Sequence, residues 1–352
     1  MNKIAALVSG GVDSSVALAN LVLAGYQPTA FYLKIWLEDE LAYLGECPWQ
    51  EDLSYVKAVC EKLGVPLEIV SLQRAYWDEV VTYTIAQIKA GCTPNPDIMC
   101  NTRVKFGAFL KHIGDIYDKV ATGHYAQVLT QDGLAVLKTS HDPIKDQTYF
   151  LSQLTQAQLQ KALFPIGHLT KKEVRALAHM YDLPNKDRKD SQGICFLGKI
   201  KFSDFVKHHV GIKIGPFVEY ETGKQVGTHE GVWFYTIGQR QGIGLSGGPW
   251  YVVKKSLDDN VVFISRSYYA SDKQRKSVHV RDFNWISGIA PAGAKFSVKL
   301  RHGPELVPGE LRYIADRGII TLIADDQGVA PGQFAAFYDG DICLGSAVIV
   351  DE

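Results

Sequence analysis

Seven consecutive residues, Ser9, Gly10, Gly11, Val12, Asp13, Ser14 and Ser15, follow an apolar run at Ile4 to Val8 and open a helical pattern from Ser14 to Leu23. The carboxyl end of a first parallel strand is where open α/β sheets bind ligands. Two glycines let the backbone approach a phosphate closely, the serines supply hydroxyl donors, and the helix start adds unpaired N–H groups at a positive dipole end. The loop therefore reads as a cradle for an anion. It is neither GxxxxGK[ST] nor GxGxxG, because it lacks the lysine of the first and the third glycine of the second. Asp13, an acid inside such a cradle, makes sense if a divalent metal is held there too.

A second kind of chemistry comes from thiols. The six cysteines, Cys47, Cys60, Cys92, Cys100, Cys195 and Cys343, contain no CxxC pair, which points away from a dense disulfide framework and from a four-thiolate zinc site. Cys100 ends the segment Thr93-Pro94-Asn95-Pro96-Asp97-Ile98-Met99, in which the prolines fix φ and push Thr93 and Asn95 into extended conformations. With a helix expected from Arg103 to His112 and with Arg103 and Lys105 close by, the Cys100 thiol is expected to ionise below the ordinary value of about 8.5. Asp97, three residues earlier, is placed to act as a general base or acid. Cys195 lies in Asp190-Ser191-Gln192-Gly193-Ile194-Cys195-Phe196, between Lys189 and Lys199, which favour a thiolate. The other four cysteines read as small buried hydrophobes, Cys60 most clearly and Cys92 least so because it shares the Cys100 loop. Adjacent His208 and His209, without an HxxxH pair, do not make a metal site.

These groups need elements to hold them. The 352 residues are 46% hydrophobic and 21% charged, an ordinary globular composition that excludes disordered and fibrous classes. Apolar runs at 4–8, 29–33, 67–70 and 119–122 alternate with helical patterns at 14–23, 52–63, 76–89 and 103–112, the signature of a doubly wound parallel α/β sheet. Thr170 and Glu173 form a capping box for a helix that reaches Met180. After about Gly211 the pattern changes to short period-two runs, at 217–220, 225–228, 251–255 and 261–265, and then to six more between Val278 and Val350 with the spacing of a small closed barrel. The expected division is 1–200, 201–275 and 276–352, with Ser271 to Lys276 as linker. The net charge of −1 argues against a non-specific nucleic-acid binder. Locally, however, ten basic residues stand against five acids from Lys171 to Lys213, and six acids without a base lie between Glu38 and Asp52. No run approaches the roughly 18 apolar residues of a membrane span, so the chain is expected to be soluble and cytoplasmic.

SGGVDSS resembles the pyrophosphate-binding loop of the ATP pyrophosphatases, which adenylate a substrate oxygen and release pyrophosphate. Together with TPNPDIMCN around Cys100, DSQGICFLG around Cys195, ATGHY at Ala121 to Tyr125, Lys145-Asp146-Gln147 and TIGQRQGIG at Thr236 to Gly244, the chain resembles the tRNA-specific 2-thiouridylase family over nearly its whole length. The resemblance implies an adenine nucleotide alpha hydrolase-like α/β domain, a small β-rich central tRNA-binding module and a C-terminal β-barrel. It implies ATP with Mg2+ as substrate, bound by Leu7, Val8, Ser9, Gly10, Gly11, Val12, Asp13, Ser14, Leu33 and Gly123. It makes Cys100 the nucleophile, with Asp97 beside it, and Cys195 the carrier of persulfide sulfur from a donor protein. Asn95, Pro96 and Asp97 would meet the target base, while His124, Lys145, Asp146, Gln147, Arg301, His302 and Gln333 would contact tRNA. Gln192 stands where the family pattern has Thr, and His302 where it has Tyr. The implied partners are tRNA and a cysteine desulfurase or sulfur-relay protein, with the chain itself a monomer and no membrane.

Replacing the C2 oxygen of a uridine by sulfur requires that oxygen to become a leaving group, which adenylation achieves. Sulfur can then come directly from a Cys195 persulfide, with a Cys100 to Cys195 disulfide left behind, or as hydrosulfide released by Cys100. Either route brings the two sulfurs within disulfide range, and Gly193 and Gly198 are candidate hinges. The target base must be splayed from its stack. The residues alone leave three alternatives open: a small-molecule amidotransferase or ligase using the same loop, cysteines and Asp97 around an iron-sulfur cluster, and an RNA-binding module without chemistry.

Overall fold

The computed structural model describes residues 2–35, 49–189, 201–314 and 316–351. Cys47 and the whole Asp190 to Phe196 segment with Gln192 and Cys195 lie outside the described residues.

Strands β1 (Ile4–Leu7), β2 (Thr29–Lys34), β3 (Leu67–Ser71) and β4 (Lys119–Ala121) form, with the short β7 (Ala162–Leu163), a parallel sheet in the order β3-β2-β1-β4-β7. β1 is central and wholly buried, as a continuous apolar run covered on both faces should be. Ala5 and Leu7 face one core with Phe31, and Ile4, Ala6 and Val8 face another with Leu18 and Val56. The register pairs Ala6 with both Ala30 and Ala121, so Ser9, Leu33 and Gly123 come out together at the carboxyl edge of the sheet. Helix α1 (Val12–Leu23) and α2 (Trp49–Leu63) match the expected patterns.

The next two helices differ from expectation. α3 begins at Gln73 and runs to Lys89 through a π-helical stretch at Trp77–Val81. α4 starts not at Arg103 but at Pro96: Pro96–Met99 passes into a π-helical stretch, Cys100–Ala108, and ends in Phe109–Ile113. Asn95 caps it by accepting the Ile98 N–H at 3.2 Å, and proline suits the first helical position because its missing N–H would have no partner there. Cys100 therefore lies a full turn inside the helix. π-helical turns are rare and concentrate at functional sites.

β5 (Gln127–Gln131) and β6 (Leu134–Lys138) form a hairpin absent from the sequence-based expectation. Its turn is Asp132-Gly133, both at positive φ, the arrangement an Asp-Gly pair favours. Short helices α5 (Thr148–Leu151) and α6 (Gln156–Lys161) precede α7 (Lys171–Met180), whose Thr170/Glu173 capping box is formed in both directions. After α8 (Phe202–Val210), strands β8 (Gly215–Glu219), β9 (Gln225–His229), β10 (Tyr251–Ser256) and β11 (Val261–Ser265) make a four-stranded sheet in the order β10-β11-β8-β9. Ser271 to Lys276 is a short 3-10 turn leading into a strand. β12 (Arg275–Trp285), β13 (Lys295–Lys299), β14 (Val307–Ile314), β15 (Arg317–Asp326), β16 (Phe334–Asp339) and β17 (Ile342–Val350) follow in the order β12-β15-β14-β13-β16-β17, closed by β12–β17 pairing. The hairpin adds to this barrel through β6, with Leu137 opposite Cys343. Barrel residues Phe334, Ala336, Tyr338 and Cys343 consequently share one core with Leu137, Tyr149 and Val104. No helix among the described residues is long and apolar enough to cross a membrane.

Candidate active site

The anion cradle is preformed. Gly11 is the residue before α1, and its carbonyl accepts from the hydroxyls of Ser14 and Ser15, each at 3.0 Å. The Ser9 N–H donates to Ser14 Oγ at 3.2 Å. Gly10 has φ +79°, and a Cβ there would stand 2.6 Å from the Asp52 carbonyl oxygen and 3.0 Å from Arg188 Nη1. At Gly123 a Cβ would lie 2.6 Å from the backbone nitrogen of Ser14, so only glycine lets the end of β4 press against the start of α1.

Four residues that the sequence reading left unassigned complete the cradle. Asn185 Nδ2 donates to the Gly10 carbonyl at 2.8 Å and to Ser15 Oγ at 2.9 Å. Arg188 donates to the same carbonyl at 3.0 Å and pairs with Asp52. Lys171 Nζ lies 2.7 and 2.9 Å from the two oxygens of Asp13, and the Tyr125 hydroxyl donates to Asp13 Oδ1 at 2.9 Å. The Asp13 carboxylate is thus held by a cation and a phenol at the start of α1. Only the basic stretch from Lys171 onward signalled Lys171 and Arg188 in the sequence, and Tyr125 stood in the ATGHY motif without a role; Asn185 had no signal of its own.

Cys100 is 1% exposed. Burial pushes its thiol above the ordinary value, with Asp97 adding to the rise while Lys105 and the Tyr76 hydroxyl work against it. The expected depression is thus reversed, because a full turn of helix and a packed core separate the sulfur from water. Lys105 Nζ donates to Asn101 Oδ1 at 3.0 Å, and Asn101 Nδ2 donates to the Phe150 carbonyl at 3.0 Å. Desolvation, then the charge of Lys105, hold His124 well below its usual range, so it is neutral; Thr122 Oγ1 lies 2.6 Å from its Nδ1. The charge of Lys105 bears on both Cys100 and His124, the residue next to Gly123.

The segment before Cys100 is held by both β-rich regions. Thr93 donates its N–H to the Pro331 carbonyl at 2.7 Å and its hydroxyl to Thr236 Oγ1 at 3.2 Å. Gln333 donates to the carbonyls of Thr93 and Pro94 at 2.9 and 3.2 Å and accepts from Asn95 Nδ2 at 3.4 Å and from the Tyr149 hydroxyl at 3.3 Å. His302 packs on Phe150 with ring centroids 4.6 Å apart. Asn95, Asp97, Gln333 and His302 thus gather around the loop that leads to Cys100.

Three expected contact residues have internal duties. Asp146 is buried, accepting from the Ser140 N–H, the Thr148 hydroxyl and Lys299 Nζ at 3.0, 2.8 and 2.8 Å. Gln147 accepts the Tyr125 N–H at 2.9 Å. Arg301 makes a two-pronged pair with Asp326 at 3.0 and 2.6 Å but remains half-exposed. Lys145 lies at the surface end of the same turn, its N–H donating to Asp142 Oδ1 at 3.2 Å.

Among curated proteins, the tRNA-specific 2-thiouridylase MnmA of Parabacteroides distasonis is 49% identical over 99% of this chain and 99% of its own length. The chain belongs to the tRNA-specific 2-thiouridylase family. The MnmA of Porphyromonas gingivalis is 46% identical over 98% of both chains, and MnmA 2 of Bacteroides fragilis 47% identical over 98% of this chain and 99% of its own. Three family models match in succession: a tRNA methyl transferase HUP domain at residues 2–199, a tRNA methyl transferase PRC-barrel domain at 203–266 and an aminomethyltransferase beta-barrel domain at 275–349. Among solved structures, NMN synthetase from Francisella tularensis matches with a TM-score of 0.33 and 16% identity over 54% of this chain and 66% of that chain.

Proposed function

We propose that the chain is a tRNA 2-thiouridylase, which adenylates the C2 oxygen of the anticodon wobble uridine and replaces it with sulfur. The observation that carries the reading is 46–49% identity over nearly the whole chain to tRNA-specific 2-thiouridylases, beside a tightly bonded loop at Ser9 to Ser15 and a buried thiol at Cys100.

In this reading ATP is a substrate that brings its own Mg2+, and no step is routed through a protein-bound metal. The uridine oxygen attacks the α-phosphorus, and pyrophosphate leaves into the N–H and hydroxyl groups of the cradle, which stabilise the charge that develops there. The terminal sulfur of a Cys195 persulfide, supplied by a cysteine desulfurase or sulfur-relay protein, attacks C2, and AMP departs with the oxygen. Cys100 thiolate then attacks the Cys195 sulfur; the S–S bond breaks, 2-thiouridine is released, and a Cys100 to Cys195 disulfide awaits reduction by a dithiol. In the alternative order Cys100 attacks first and liberates hydrosulfide, which adds to C2. Asp97, one turn from Cys100, takes the thiol proton. Asn95 to Asp97 meet the base, and Lys145, His302, Gln333 and Arg301 line the approach of tRNA, with His302 offering a ring where the family pattern has Tyr.

The test is nucleoside analysis of unmodified tRNA after reaction with ATP and a persulfide donor. Wild type is expected to yield 2-thiouridine, and Cys100→Ser and Cys195→Ser none. AMP and pyrophosphate formed without any thiolated nucleoside would overturn the assignment and return the cradle to another substrate.

A further inference from the structure

The sulfur chemistry leaves a cluster of tyrosines in the four-stranded region unused. Tyr251 on β10 and Tyr268 beyond β11 are stacked, with centroids 4.7 Å apart and planes 16° from parallel. Tyr269 meets Tyr268 edge-on at 5.2 Å and is 72% exposed. The Arg240 guanidinium lies 6.0 Å from the centre of the Tyr251 ring. Gly238, at φ +87°, lets its loop close against these rings, since a Cβ there would stand 2.8 Å from the Tyr268 hydroxyl. On the barrel side, Arg301 bears on the Tyr268 phenol, and its neighbour His302 packs on Phe150 beside the loop leading to Cys100. The tyrosine cluster thus lies within electrostatic reach of Arg301, the neighbour of His302.

A large ring left in water contributes nothing to a core, and stacked aromatics flanked by guanidinium groups are what unpaired bases and their phosphates bind. Base stacking needs a ring face and the backbone needs a cation, and both are present across two regions of the chain. We propose that Tyr251, Tyr268 and Tyr269, with Arg240, form a stacking platform for an unpaired nucleotide of the RNA substrate other than the one modified. The inference rests on the reading of the chain as a tRNA enzyme, and it places part of substrate selection in the four-stranded region.

The experiment is fluorescence-anisotropy titration of the full chain with unmodified tRNA and with a short unpaired oligoribonucleotide, for wild type, Tyr269→Ala, Tyr269→Phe and Arg240→Ala. Stacking on one ring predicts that Tyr269→Ala weakens both by about 5- to 100-fold while Tyr269→Phe stays near wild type. Arg240→Ala weakens both and flattens the salt dependence. Because Tyr269 is exposed, circular dichroism should show an unchanged fold. Binding by Tyr269→Ala within twofold of wild type overturns the platform, even if wild type thiolates tRNA. Tyr269-dependent RNA binding by a wild type that fails to thiolate keeps the platform and rejects the thiouridylase reading.

Discussion

The loop between β1 and α1 is built around seven consecutive residues, whereas the face around Cys100 draws on four separate stretches, 93–100, 145–150, 301–302 and 333. The loop combines short-range bonds, such as Ser14 and Ser15 to the Gly11 carbonyl, with long-range ones from Asn185, Arg188 and Lys171. The other face is fixed by long-range bonds, such as Gln333 to Thr93 and Pro94. The first part keeps a set of bonds within its own residues. The other exists only when the barrel, the hairpin and α4 are docked, so the face around Cys100 depends more heavily on tertiary structure than the loop does.

The comparison can be broken hardest at its buried ion pair. Lys299 and Asp146 are almost fully enclosed, and Lys299→Met leaves a buried carboxylate with its cation gone, a loss of about 3–5 kcal/mol. Chemical denaturation should show that loss, and thiolation should fail with the fold. Gly123→Ala attacks the cradle alone. The added Cβ would meet the backbone of Ser14 at 2.6 Å, and relieving an overlap of this kind costs about 1–3 kcal/mol. The expected result is a KM for ATP raised about tenfold with tRNA affinity unchanged, since each 1.4 kcal/mol is a factor of ten. Gln333→Ala is the converse: it removes the bonds to Thr93, Pro94 and Asn95 and should lower kcat/KM for tRNA by about a hundredfold, at about 1 kcal/mol per bond lost, with the KM for ATP unmoved. If both variants shifted both constants equally, the two parts would not be separable.

The smallest effect concerns the resting thiol. Burial favours the neutral form of Cys100, and the thiolate is the reactive species. In RNA-free protein, iodoacetamide should therefore modify Cys100 more slowly at pH 7.5 than an exposed cysteine, and the rate should climb as pH rises beyond the ordinary thiol value of about 8.5. Fast alkylation at neutral pH would show instead a thiol already activated before substrate arrives.

This contrast also explains what could be read from the sequence. The strand-loop-helix around SGGVDSS, the capping box at Thr170 and the alternation of the barrel strands are local patterns, and the structure follows them closely. The early start of α4 was hidden because two prolines read as a rigid loop, whereas Pro96 behind an Asn95 cap opens a helix. That shift buried Cys100 and reversed the expected sign of its ionisation. Asp146, which the family resemblance names as a tRNA contact, is buried against Lys299, 153 residues away, a pairing nothing local reveals. The β5–β6 hairpin carried an Asp-Gly turn, yet its place on the barrel depends on pairing with β17, which no local pattern encodes. Asn185 and Lys171 are tied to the cradle in the same long-range way.

The central claim is that adenylation and sulfur transfer are coupled on one substrate but carried by different parts of the chain. The most direct measurement counts AMP formed and radioactive sulfur incorporated per tRNA in the same reaction, for wild type and Cys100→Ser. The account predicts one AMP per sulfur for wild type, and for Cys100→Ser at least about a thousandfold less sulfur incorporated, as for loss of a nucleophile, with nucleotide still bound. Sulfur incorporation by Cys100→Ser at the wild-type rate would contradict it.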